Sequence, residues 1–415
     1  MPDAIFSGNF FRKGRFEELS VAVENGIIVK LGKSMIGSRT VRLEGAIFPA
    51  GTDVHVHFRD PGETEKEDFG TGSLSAIYGG TTTVFDMPNN LTPVSDYEVF
   101  ESKLAAVRGK SYCDFGLYSM FNGNNGPVIS KRSSGIKTFL GGSTNALGMD
   151  LGAGVFGQIR EFDIPKAFHA ESARCLSLSR GPDVTGLKEH NLSRPLDCEV
   201  GSLEDMKEFQ VGRKIAAHVT SVRSLETVGT TAIREVTPHH LLLSDSDESG
   251  PWGKVNPPLR SDDIREDLFK AFLSGKVDIL SSDHAPHTEA DKEEFQYAKS
   301  GIIGVETRIP LMLALVKKKI LSLETFYETC IRNPPKVFGL NKGEIEVGNR
   351  ADFFAVNLSD MSPLKDQKLH SKVPISPFRG FQTVFPREVV LGGIPVLENG
   401  EAILDPMGIH VKEQG

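Results

Sequence analysis

The segment DVHVHFRDPG, Asp53 to Gly62, places two imidazoles two residues apart and a guanidinium two residues further on. In a strand, residues two apart share a face about 6.6 Å apart, so His55 and His57 can reach one metal ion beside the strand end. Val54 and Val56 then turn to the other layer. An isolated pair of this kind is more often two hydrogen-bonded histidines, but further candidate ligands stand at the ends of other strand-like runs. They are Lys137 in GIKTFL, His169 in AFHAES, His218 in AAHVTS and Asp283 in SSDHAPH. Nitrogen and carboxylate donors converging in a dry pocket are the set that zinc takes. Lys137 has two readings, since an ammonium beside Ile136 and Phe139 is costly to bury alone. It is a lysine paired with Asp283 or another acid, or a neutral amine that adds carbon dioxide and becomes an anionic ligand for two cations; residue chemistry leaves both open. Arg59 shares the face of the histidines and offers a planar fork to a carboxylate, or is a surface charge paired with Asp60 or Glu63.

The elements that must bring these residues together follow a rhythm of apolar strands and helical stretches. Candidate strands are residues 46–58, 81–88, 113–121, 135–140, 165–171, 214–220, 232–243 and 277–287, with helical runs such as Tyr97 to Val107 and Asp262 to Leu273 between them. Strands alternating with helices imply a parallel sheet, and eight such units close into a (β/α)8 TIM-like barrel of roughly 250 residues, with functional groups gathered at its C-terminal face. The two ends break the rhythm with short strand-like runs and turn signals at Glu24-Asn25-Gly26 and Glu398-Asn399-Gly400. The expectation is a barrel over 46–343 and one small β-sandwich domain built from 1–45 and 344–415. His239 and His240 in TPHHLLL fall on the seventh strand, in structural or supporting roles. The loop from Gly141 to Met149 is small and Gly-rich, as either a closing lid or an ordinary solvent loop would be.

Lys+Arg minus Asp+Glu is 47 − 55, a net charge of −8 with no basic tract, so nucleic acid is not an expected partner. The longest apolar runs, near Ile309 and Val389, fall well short of the roughly 20 residues that cross a bilayer. The first residues show no basic stretch followed by an apolar one. The four cysteines, Cys113, Cys175, Cys198 and Cys330, have no CxxC spacing, which argues against a disulfide framework or a thiolate zinc site and for a reducing cytoplasm.

DVHVHFRDPG, GGTTTVFDMPNN, EVTPHHLLL and SSDHAPHT together resemble the cyclic amidohydrolases, and within them the dihydroorotase family of the type found in the animal pyrimidine-synthesis polyprotein. GNRADFFAVN and SPFRGF resemble that family's returning β segment, so the likeness covers nearly the whole chain. The resemblance implies that His55, His57, His169, His218 and Asp283 are zinc ligands, with two ions bridged by carboxylated Lys137 and a hydroxide. It implies Asp283 as the catalytic proton carrier. Around the substrate it implies Arg59, Asn89 and His287 on a carboxylate, and Asn256, with Ile303, Gly304 and His57, about a pyrimidine ring. The implied reaction interconverts N-carbamoyl-L-aspartate and dihydroorotate in the cytoplasm. A homodimer and an association with aspartate transcarbamoylase are further implications. Relatives acting on hydantoin, dihydropyrimidine or allantoin are the nearest alternative, and a non-catalytic partner-binding barrel is the other.

Overall fold

In the computed structural model, which describes residues 1–150, 152–179, 183–403 and 405–414, the chain begins with three antiparallel strands. These are β1 (Ala4–Arg12), β2 (Arg15–Glu24) and β3 (Ile27–Gly32), followed by β4 (Arg39–Pro49), which runs parallel to β1. The β2–β3 turn is Asn25-Gly26 with both φ angles positive, 51° and 77°, the twist that a tight hairpin requires. β4 ends at Pro49 and β5 (Gly51–Val56) starts a second sheet, so the expected single strand over 46–58 is two strands in two sheets. The joint is pinned where Ala50 N donates to Asp352 O at 2.9 Å.

From β5 the chain winds through β6 (Thr81–Asp86), β7 (Asp114–Met120), β8 (Gly135–Phe139), β9 (Lys166–His169), β10 (Lys214–Ala216), β11 (Ile233–Val236) and β12 (Ile279–Leu280), each paired in parallel with its sequence neighbour. The ring closes through a parallel bridge between Val56 and His284, with His57 N donating to His284 O at 2.7 Å. Helices lie between the strands and bury their apolar faces on the outside of the ring. The expected helices Tyr97–Val107 and Asp262–Leu273 are both present, the first capped by Asp96, whose side chain accepts from Val99 N.

The C-terminal part returns to the first sheet with β13 (Phe353–Val356), adds the small pair β14 (Ser362–Pro363) and β15 (Gln382–Thr383), and ends with β16 (Glu388–Leu391), β17 (Ile394–Glu398) and β18 (Glu401–Ala402). The resulting eight-stranded order, β18-β17-β16-β13-β4-β1-β2-β3, draws on both chain ends around a core that includes Phe6, Phe10, Val21, Ile47 and Phe353. The architecture is a TIM-like barrel with a β-sandwich domain. Among the described residues, no helix is long and apolar enough to cross a membrane.

Two expectations are corrected. His239 and His240 lie not on a strand but on the short helix Pro238–Leu242. Thr237 caps it by accepting from His240 N, and Pro238 fits its first turn because proline has no N–H to leave unpaired. Cys175 and Cys198 form a disulfide, with Cα atoms 5.3 Å apart. Their spacing of 23 residues carried no signal because the fold, not the sequence interval, lays helix Ala173–Leu178 beside helix Leu196–Lys207. Cys113 and Cys330 are free and buried.

Candidate active site

The C-terminal end of β5 does not keep simple alternation. Its register against β6 shifts between Asp53 and Val56, a bulge that separates two valines expected on one face. Val54 packs with Phe85, Tyr118, Ala167 and Ile215, whereas Val56 joins the larger core. Bulges beside active sites re-aim side chains, and this one turns His55 and His57 together, ring centroids 5.3 Å apart. Arg59, His218 and Asp283 all adopt positive φ, at 62°, 40° and 48°. For residues with a Cβ this conformation costs of order 1 kcal/mol or more, and it is kept where function requires it.

His55 Nε2 and His57 Nε2 lie 3.3 and 3.1 Å from Asp283 Oδ1, a cluster whose ligand atoms stand within 4.8 Å of one another. The tautomers follow from what holds each ring from behind. Glu235 Oε1, 2.7 Å from His55 Nδ1, accepts its proton, and Ser281 Oγ donates to the same oxygen at 2.6 Å. Asn89 Nδ2 donates to Thr144 O at 2.8 Å, so its Oδ1 is the atom 2.7 Å from His57 Nδ1. Both Nε2 atoms therefore present lone pairs to a carboxylate oxygen. Three acceptors converging without a proton call for a cation, so this donor set fits a metal ion. Burial brings His57 down to about 3, keeping it neutral. Against the effect of burial, the surrounding imidazoles hold Asp283 well below the usual carboxylate range.

A second group adjoins the first. His169 Nδ1 and His218 Nε2 are 3.1 Å apart, and the His55 and His218 rings are 5.4 Å apart. Lys137 is fully buried between the groups, its Nζ 3.4 Å from His55 Nε2 and 5.3 Å from the Phe139 ring centroid. No carboxylate lies within ion-pair distance of it among the described residues, and burial lowers it to about 8 despite Glu235 and Asp283 nearby. The site brings together all six residues expected to ligate metal. His239, also buried, leaves its Nε2 without a partner near this cluster.

Beside the cluster, Arg59 and Asn256 line a small cavity with His57, Asn89 and Asp283, together with Ser143 and Thr144 of the 141–149 loop. Arg59 is 3% exposed and its Nη1 has no partner, while Nη2 lies 3.4 Å from His287 Nε2. His287 Nε2 also donates to Ser300 O at 3.0 Å. Ile303, Gly304 and His287 do not line this cavity, and Gly304 N is given to His284 Nδ1 at 3.1 Å. The residues overlooked in the sequence are the carboxylates behind the histidines, Glu235 and Glu171. Glu171 carried a usable signal, because it follows His169 by two residues in HAE.

Known proteins fit this geometry. The amidohydrolase family model matches residues 203–393. A dihydroorotase from Thermoplasma acidophilum is 49% identical over 99% of this chain and 98% of its own, and one from Thermoplasma volcanium is 51% identical over the same shares. Among solved structures, an L-hydantoinase from Arthrobacter aurescens superposes with a TM-score of 0.90 at 26% identity, covering 98% of this chain and 99% of that one. On the full-length identity to these relatives, the chain belongs to the dihydroorotase family of the amidohydrolases.

Proposed function

We propose that this chain is a dihydroorotase, a zinc-dependent enzyme that interconverts dihydroorotate and N-carbamoyl-L-aspartate, a step of pyrimidine synthesis. The observation that carries the substrate assignment is Arg59, a guanidinium that lines the cavity with His57 and Asp283 and whose buried Nη1 has no hydrogen-bond partner among the described residues. A buried donor without a partner favours a ligand that supplies an acceptor, and a guanidinium fork matches a carboxylate. Hydantoin and dihydrouracil rings lack that group.

In this reading His55, His57 and Asp283 would hold one zinc ion and His169 and His218 a second, with carboxylated Lys137 as a further anionic ligand. The lack of a carboxylate within ion-pair distance of Lys137 among the described residues, with its burial, supports the carboxylated form. Bound zinc would bring water toward a pKa of about 7 and polarise the ring carbonyl. In the hydrolytic direction the water oxygen bonds to the ring amide carbon and the carbon–nitrogen bond breaks. Asp283 takes the proton released by the water and hands it to the departing ring nitrogen. Arg59 grips the carboxylate, with His287 beside its Nη2 and outside the cavity lining, and Asn89 joins Arg59 by exchanging its Thr144 carbonyl for a substrate oxygen. Asn256 faces the ring, with Ile303 and Gly304 behind it. Holding the ring this way fixes its carbonyl over the water.

A cytoplasmic location, a homodimer and an association with aspartate transcarbamoylase complete the proposal on family resemblance. The disulfide is the observation that weighs against a strictly reducing surrounding. The test compares turnover of dihydroorotate, hydantoin, dihydrouracil and allantoin by the zinc-loaded protein. Preference for dihydroorotate by at least a hundredfold in kcat/KM is expected. Equal or better turnover of a ring without a carboxylate would transfer the chain to the hydantoinase-like alternative.

A further inference from the structure

The back of His169 is held by a buried network that reaches beyond the site. His169 Nε2 lies 2.9 Å from Glu171 Oε2, and Glu171 is completely buried. A carboxylate there needs a counter-charge, and Arg194 supplies it, with Nε 3.0 Å from Oε1 and Nη2 2.6 Å from Oε2. The same Nη2 donates to Gly142 O at 2.9 Å, at the root of the 141–149 loop that follows β8 and its Lys137. Arg194 is itself fixed, because its carbonyl accepts from Arg260 Nη1 at 2.7 Å. Arg260 in turn binds Thr220, two residues beyond His218, at 2.9 Å, and Glu199 at 3.1 Å. One connected network thus joins the back of His169, the base of the loop over the cavity and the segment carrying His218.

We propose that Glu171 and Arg194 are a positioning pair for the His169 side of the metal centre. Glu171 accepts the Nε2 proton of His169 and so leaves the Nδ1 lone pair facing His218. Arg194 neutralises Glu171 and ties it to Gly142, so the loop root and the ligand ring are set by one guanidinium. Neither residue lines the cavity, so both act through others. Partners of this kind behind a ligating histidine typically change metal affinity by about 10- to 100-fold when lost. The inference rests on the metal-dependent reading above.

The test measures zinc per chain in wild type, Glu171→Gln, Arg194→Lys and the double variant Glu171→Gln/Arg194→Met, each titrated with a chelator and with zinc as the only probe. Glu171→Gln is expected to release one class of zinc about tenfold more readily while the other class is held as before. Arg194→Lys should fall between, since an ammonium keeps the charge and loses the fork. The double variant removes the buried carboxylate and its half-buried counter-charge together. It should therefore melt near wild type yet still release zinc early, which separates positioning from folding. Zinc held with unchanged affinity in all three variants would overturn this proposal alone. A wild-type chain that takes up no zinc would instead overturn the metal-dependent reading, and this proposal with it.

Discussion

Two buried lysines stand at opposite ends of the barrel and have opposite surroundings. Lys342 Nζ is clamped by Asp114 at 2.7 Å, Asp352 at 2.8 Å and Thr83 Oγ1 at 2.7 Å, at the N-terminal end where β6 and β7 begin. Burial would lower its pKa, yet the two aspartates raise it above 10.5 overall. Lys137, toward the other end, has no carboxylate within ion-pair distance among the described residues, and burial lowers it to about 8. The Lys342 group joins the barrel to the returning β segment and satisfies its donors internally, which is a structural solution. The Lys137 group brings acceptors together beside an amine with no carboxylate in ion-pair distance among the described residues, a donor set that fits a metal ion. Barrels divide their ends this way, with stability at one face and chemistry at the other.

The comparison can be broken by substitution at either end. The largest effect is expected from Asp283→Ala, which should lower kcat by 10³-fold or more while the protein keeps its melting temperature and part of its zinc; roughly this size follows from losing a proton carrier that also touches the reacting atoms. Retained turnover would remove Asp283 from that role. At the other end, Lys342→Met leaves Asp114 and Asp352 with Arg350 as their remaining cationic partner and should cost about 3 kcal/mol in urea unfolding, with zinc binding per folded chain unaltered. A fold loss as large from Lys137→Met would erase the distinction.

A pH series sharpens it. A lysine lowered in the folded state costs stability below its folded pKa, and that cost fades as pH rises from about 8 to 10.5. Chelator-treated Lys137→Met should therefore be more stable than chelator-treated wild type at pH 7, by roughly 3 kcal/mol, and converge with it near pH 10.5. For Lys342, raised in the folded state, the sign reverses: its contribution is present below 10.5 and lost above. The smallest effect is expected from Arg59→Lys, which keeps the charge but loses the bidentate fork. It should raise KM for dihydroorotate by roughly tenfold, about 1.4 kcal/mol, with a lesser change in kcat.

The meeting of the residues expected to ligate metal could be anticipated from the sequence because they lie on or at the ends of apolar runs, and a barrel gathers such runs together. Helices such as Tyr97–Val107 were readable from their polar and apolar pattern, and the Asn-Gly turns from their conformational preference. What escaped depends on contacts between distant residues. The bulge that parts Val54 from Val56 is set by pairing with β6, and the strand expected over 232–243 ended early because Thr237-Pro238 starts a helix. The pairing of Cys175 with Cys198, and the reach of Glu235 across 180 residues to His55, arise only when the ring closes. Arg59 was seen as a carboxylate fork or a surface charge; its burial and free Nη1 are properties of the folded cavity.

The most direct measurement is hydrolysis of dihydroorotate by the purified chain, followed spectrophotometrically, with zinc quantified on the same sample before chelation, after it and after zinc is restored. Turnover that falls with the zinc and returns with it, and that Arg59→Ala abolishes without loss of zinc, is the predicted result. Full turnover by zinc-free protein, or a zinc-loaded chain inert toward dihydroorotate, would contradict it.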